Sequence, residues 1–383
     1  MELTSVQTAA LGGFVGALAF GAIAGRTHFC AMGAVSDWVH MGDKTRLRTW
    51  FLAIGVAILG TQGLAALTPL DLRQSMYLTP SFSWLGHALG GVLFGIGMTL
   101  AGGCGQRNLV RLGGGNLKSL VVLLVLAVTA YMTMRGLLAL VRSAVFEPLR
   151  VDLSAHGIAD QSIPHVLSAF IGSEHQTALR WIAAGVVAFG LIGFALKSAE
   201  FRRRADQYFA GSAIGLLVIA GWYITGVLGT DDFEPARIES YTFVGPVAEA
   251  LQYLMTYTGA NIDFGIAAVL GVVAGSFLSA LAVGKFRVET FTVRSDMIAH
   301  VAGGALMGFG GVVALGCTIG QGITGMSTLA LGAAVTLGAI VFGSALTLKV
   351  QYHRLDEHGF WRALYLALAD LRLAPTPRPS RPA

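Results

Sequence analysis

Nine apolar runs dominate this chain, over about 8–25, 50–67, 83–101, 119–140, 181–196, 208–229, 264–284, 297–315 and 329–348. Each approaches the ~20 residues that a helix needs to cross a hydrocarbon core. Charge agrees, since only 12% of the 383 residues are Asp, Glu, Lys or Arg, about half of the ~25% usual in soluble domains. Backbone groups in lipid must be satisfied within each segment. The sequence therefore predicts an all-α polytopic membrane protein of about nine transmembrane helices, with short broken or re-entrant helices among them.

The formal net charge of +5 does not indicate a nucleic-acid partner, because the basic residues lie in short clusters between apolar runs. Arg26, Lys44, Arg46 and Arg48 form one, Lys197 and Arg202 to Arg204 a second, Lys285, Arg287 and Arg294 a third, and Lys349 and Arg354 a fourth. These read as topology signals that face the cytoplasm. The acidic segment 230–240 and the polar stretch 150–178 then face the other side. No secretory leader is expected, since the first basic residue, Arg26, follows the first apolar run. The proline-rich segment 373–383 is expected to be disordered, which leaves one integral-membrane domain over 1–372.

Displacing the chain against itself by 213 positions aligns "HALGGVLFGIGMTLAGGC" (87–104) with "HVAGGALMGFGGVVALGC" (300–317), and nine of the eighteen positions are identical, His and Cys included. A weaker echo, mostly glycine, links 12–26 to 271–285. Internal repeats with glycine-broken apolar segments are the pattern of transporters whose site lies where two halves meet. The expected halves are about 1–145 and 260–350, joined by helices within 180–230. Counting crossings makes the segment ending at Cys104 and the one ending at Cys317 run in opposite directions, as in an inverted repeat. The weaker pair would run the same way.

The three cysteines, Cys30, Cys104 and Cys317, all end apolar runs and adjoin glycine or polar residues. A run such as Gly102-Gly103-Cys104-Gly105 cannot be a comfortable helix, and opening it inside a bilayer is tolerated only where backbone is buried in protein or lines a cavity. Gln106, Arg107 and Arg111 follow the first break and Thr318 and Gln321 the second; with His28 beside Cys30 they present donors and positive charge, which suits an anion. Arg107 and Arg111 argue against a metal, and the odd count of thiols argues against a disulfide framework. No nucleotide-binding motif or other cofactor signature is present. Thiols so placed can handle a sulfur substrate by weak S–H hydrogen bonding or by persulfide exchange, so a transporter, a membrane sulfurtransferase and a redox-gated channel all remain open at this point. His87 and His300 read as hydrogen-bonding to neighbouring helices, Asp37 and Asp296 as pairing with Arg26 or Arg294, and Trp222 and Tyr223 as interfacial or path-lining.

The segments "GRTHFCAMGAVSD", "LAGGCGQRNLVRLGGGNLKSL", "GWYITG" and "LMGFGGVVALGCTIGQGITGMSTLALG" resemble the YeeE/YedE family of sulfur-transport proteins. The resemblance implies an hourglass-shaped helical body in the bacterial inner membrane that takes up thiosulfate without acting as an enzyme. It also implies a path through one cysteine from each motif, here Cys30, Cys104 and Cys317, and a separate TusA-like sulfurtransferase as cytoplasmic partner. Alternatives within the resemblance are a selenium compound as substrate, or persulfide transfer to a carrier.

Overall fold

The computed structural model describes residues 4–171, 176–231 and 236–375. Its helices are α1 (Ser5–Thr27), α2 (Ala31–Ser36), α3 (Thr45–Leu67), α4 (Gly91–Leu100), α5 (Gly105–Gly113), α6 (Leu117–Arg135), α7 (Leu137–Val145), α8 (Ile163–Ile171), α9 (Gln176–Leu196), α10 (Ala199–Arg203), α11 (Ala205–Tyr223), α12 (Val244–Met255), α13 (Phe264–Ala282), α14 (Arg294–Val313), α15 (Leu331–Leu355) and α16 (Phe360–Asp370). Wide π-type turns extend α2 through Asp37–Met41, precede α4 at Gly86–Gly90, extend α11 through Ile224–Leu228 and occupy Gly320–Gly325. Strand is confined, among the described residues, to an antiparallel pair of two-residue segments, Ser81–Phe82 and Val151–Asp152. Nine helical segments of the described residues are long and apolar enough to cross a membrane. The chain is an all-α polytopic membrane protein.

Helix starts follow local chemistry. Thr4 and Gln7 form a reciprocal capping box at α1, and the side chains of Asn116 and Asp263 accept the amides of Ser119 and Ile266 at the starts of α6 and α13. Each such cap satisfies an amide that the helix itself cannot.

The aligned glycines of the two His-to-Cys segments meet each other. α4 and its preceding turn cross α14 in antiparallel fashion. A Cβ on Gly97 would lie 2.7 Å from the Gly303 carbonyl oxygen and one on Gly303 2.6 Å from that of Gly97, while Gly90 and Gly310 form the matching pair at the other end, at 2.8 and 2.6 Å. Small residues are what let membrane helices approach so closely. On their outer sides, Gly91 packs on the Thr336 carbonyl of α15 and Gly304 on the Val122 carbonyl of α6. The weaker glycine echo has a different basis: α1 and α13 lie side by side in parallel, with Gly271 against Phe14 and Gly275 against Leu18.

Two expected ion pairs are replaced by others. Asp37 pairs with Arg46 at 3.2 Å, because the chain reverses between α2 and α3, and Asp296 pairs with Lys118 at 2.6 Å and with His300 at 3.0 Å. Arg26 instead donates to the Ser279 hydroxyl. His87 bonds Thr336 of the neighbouring α15 as expected, at 2.8 Å, whereas His300 bonds within its own helix. Trp222 is buried and donates to Ser327, which makes it core, and Tyr223 is exposed. Residues 172–175 of the polar stretch, 232–235 of the acidic segment and 376–383 of the proline-rich tail lie outside the described residues.

Gly97→Val and Gly303→Val are expected to overpack the α4–α14 crossing and to destabilise the protein by about 1–3 kcal/mol each. Gly338→Val, where a Cβ would have no atom within 4 Å, serves as the control. Thermal melting in detergent by fluorescence-detected size exclusion checks this, with lower midpoints for the first two variants alone.

Candidate functional site

All three cysteines follow the same backbone device. Two residues before each, the chain turns left-handed: His28 has φ 54°, Gly102 φ 66° and Leu315 φ 60°. A helix ends there, and a new one starts at the residue after the cysteine, α2 after Cys30, α5 after Cys104 and a helical stretch from Thr318 after Cys317. Each thiol thus takes the N-cap position. Cys30 Sγ accepts the Gly33 amide at 3.4 Å and Cys317 Sγ the Gly320 amide at 3.3 Å, while the Arg107 amide lies beside Cys104. Gly102 adopts its conformation at no steric cost. Leu315, a branched residue in the same region, is strained, and such strain persists only where the surroundings over-determine it.

Those surroundings are two amide side chains in matching places. Asn108 Nδ2 donates to the carbonyls of Gly103 and Cys104 at 2.8 and 3.1 Å, and Gln321 Nε2 donates to those of Ala314 and Leu315 at 2.8 and 3.0 Å. Arg111 Nη1 adds a bond to the Gly102 carbonyl at 3.1 Å. The carbonyls freed by breaking the helix are therefore held, as a bilayer interior requires. Asn108, one of the donors that follow the first break in the sequence, stands in register with Gln321 under the 213-residue displacement, and its amide hydrogens go to the backbone of the break.

The breaks bring the thiols together. Cys104, fully buried, lies within electrostatic reach of both Cys30 and Cys317, with the Thr318 hydroxyl beside it. Arg107 stands near Cys30 and Cys104, and its Nη2 lies 3.4 Å from His28 Nδ1. The three are free thiols. Around them several buried polar atoms have no partner: both amide atoms of Gln106, Asn108 Oδ1, Thr318 Oγ1, Gln321 Oε1 and Tyr77 Oη. Native interiors leave few such groups unpaired, so their concentration around the thiols makes this the candidate site for a polar guest.

Cavities open on either side. One of about 660 Å³ is lined by His28 and five cations, Arg26, Arg107, Arg111, Lys285 and Arg287, against one carboxylate, Glu289, which accepts from Asn116. The other, about 230 Å³, carries Arg142 and Arg237 against Glu239 and Glu249 and reaches Thr242, Leu315 and Gly316. One mouth is strongly basic and the other close to neutral. Burial, reinforced by Asp263 and Glu249, pushes Glu239 up to about 8, against a partial opposing pull from Arg237. Among the candidate residues, Cys30, Cys104, Cys317, Arg107, Thr318 and His28 lie near one another. Arg111 and Gln321 act on the backbone of the breaks, and Gln106 is buried at the start of α5.

A family model described as "Sulphur transport" matches residues 26–346, a range that contains every element just described. The chain belongs to the sulphur transport family. Relatives include the "Thiosulfate transporter TsuA" of Escherichia coli (strain K12), 28% identical over 325 residues that cover 82% of this chain and 86% of that protein. The protein of the same name from Spirochaeta thermophila is 27% identical over 335 residues, covering 85% and 93%. The chain is accordingly a multi-pass membrane transporter of sulfur compounds and not an enzyme.

Because the folded state holds the Glu239 proton more tightly than the unfolded chain, its contribution to stability is greatest below the ordinary value of 4.5 and is lost as pH rises through about 8. The melting temperature of Glu239→Gln should therefore fall less than that of the unsubstituted protein as pH is raised across this window. Identical pH profiles for the two proteins would contradict the assignment.

Proposed function

We propose that the protein carries thiosulfate, or a closely related sulfur anion, inward through the neck formed by Cys30, Cys104 and Cys317. The observation that carries the reading is the convergence of three thiols, each at the N-terminus of a helix, beside a cavity with five cations. A dianion leaving water needs compensation on every side. Helix N-termini supply partial positive charge and oriented amides, and Arg107 supplies a full charge. Thiols are weak donors and polarisable partners. They suit the soft terminal sulfur of thiosulfate better than hydroxyls would, and sulfate lacks that atom. The names of the two bacterial relatives support the same substrate.

The basic cavity then faces the cytoplasm of a bacterial inner membrane, in line with the Arg and Lys clusters on that side. There it would release the anion, or present its sulfur to a separate TusA-like sulfurtransferase. The serial placement of Cys30, Cys104 and Cys317 also favours one second reading, a relay in which persulfide sulfur passes between thiols to such a carrier.

Cys104→Ser and Cys317→Ser are each expected to abolish thiosulfate-supported growth of a host without other importers, while growth on sulfite or cysteine survives. Undiminished growth of both variants on thiosulfate would contradict the thiol path.

A further inference from the structure

The two halves of the fold can be matched element by element from their packing. α1 packs on α13 as α11 packs on α3, in parallel in both cases; α6 packs on α14 as α15 packs on α4; α2 packs on α3 and α15 as α12 packs on α13 and α6. The α4–α14 crossing maps onto itself, with the Gly90–Gly310 contact exchanging with Gly303–Gly97. An inverted repeat of six elements satisfies all of these, α1 to α6 against α11, α12, α13, α14, the stretch from Thr318 and α15. The second half then begins at α11, earlier than the 260 expected from sequence, because α11 and α12 retain almost no recognisable identity with α1 and α2.

That correspondence exchanges Cys104 with Cys317. It also gives Cys30, the N-cap of α2, a counterpart at the start of α12, where Phe243 holds the N-cap and Thr242 immediately precedes it. Gly33 and Val35 of α2 fall on Gly245 and Val247 of α12 when Cys30 is set on Thr242. The side chain of Thr242 stands beside Cys317, and Cys30 lies within electrostatic reach of Cys104. Its Oγ1 faces Gly320, where no Cβ could be accommodated, and the buried Tyr77 hydroxyl lies beside it, 3.4 Å from where such a Cβ would stand. Thr242 also lines the nearly neutral outer cavity.

Resting on the thiol-path reading, we infer that Thr242 is the fourth station of the path, a positioning residue that stands one residue before the N-cap position matching Cys30 and, with Tyr77, orients the anion as it reaches Cys317 from the outer cavity. The exchange of thiol for hydroxyl has a chemical consequence. A hydroxyl donates strongly to oxygen and a thiol weakly, so this station grips the oxygen end of a sulfur oxyanion, whereas the three thiols accommodate its sulfur. Gly320 leaves the room, since any side chain there would displace Thr242.

The test is concentration-dependent uptake of labelled thiosulfate into vesicles holding the purified full-length protein, with Thr242→Val, Thr242→Ser, Tyr77→Phe and Cys104→Ala compared at equal folded amounts by size exclusion. Thr242→Val, close to isosteric, is expected to raise KM about tenfold, the loss of roughly one hydrogen bond to a charged partner, with a smaller change in maximal rate. Thr242→Ser should restore the KM and Tyr77→Phe should raise it. An unchanged KM in both Thr242→Val and Tyr77→Phe, with Cys104→Ala inactive, overturns this station alone. Full uptake by Cys104→Ala overturns the thiol path on which it rests. Failure of Thr242→Ser to rescue a defective Thr242→Val also overturns the inference, because the defect is then one of packing.

Discussion

A peptide group deprived of its hydrogen-bond partner inside a bilayer costs several kcal/mol, and this chain ends helices next to all three of its cysteines. The side chains that repair the damage define the site. Asn108 and Gln321 give their amide hydrogens to the opened carbonyls, and Arg111 gives one to Gly102. Left-handed turns at His28, Gly102 and Leu315 reverse the backbone so that each thiol caps a fresh helix. Had the helices continued, the cysteines would be buried in ordinary core, which is the usual place of a free cysteine.

From this the electrostatics follow. A new helix beginning in the interior aims its unsatisfied amides at the neck, and those amides favour an anion. The charged residues are distributed unevenly around it. Five cations crowd the cavity beside Cys30, whereas the cavity beyond Cys317 balances two arginines with two carboxylates. On the proposed path such a profile would hold an anion more firmly at one end than at the other, with Arg107 and His28 near one end and Thr242 and Tyr77 near the other.

Much of this was legible in the residues. The nine spans are read from apolar length, since lipid imposes it regardless of tertiary contacts, and the register of Cys104 with Cys317 is legible because each follows a left-handed break at the end of a glycine-rich apolar run. Other features left no trace. Asp37 meets Arg46 across the reversal between α2 and α3, and Asp296 meets Lys118 across the packing of α14 on α6, neither of which a local pattern encodes. α12, at twelve residues, is too short to read as a span, so nothing in the sequence points to Thr242 or the outer cavity. The parallel glycines of α1 and α13 resemble a repeat only because both helices need small residues to touch each other.

The central claim is that an intact anion moves past thiols that are not consumed. It is tested most directly by uptake into vesicles containing the purified protein alone, with thiosulfate labelled in parallel samples on its outer and on its inner sulfur. Entry of both labels at the same rate and to the same extent is the predicted result. Entry or protein retention of the outer sulfur alone would contradict it and establish the cysteines as a persulfide relay.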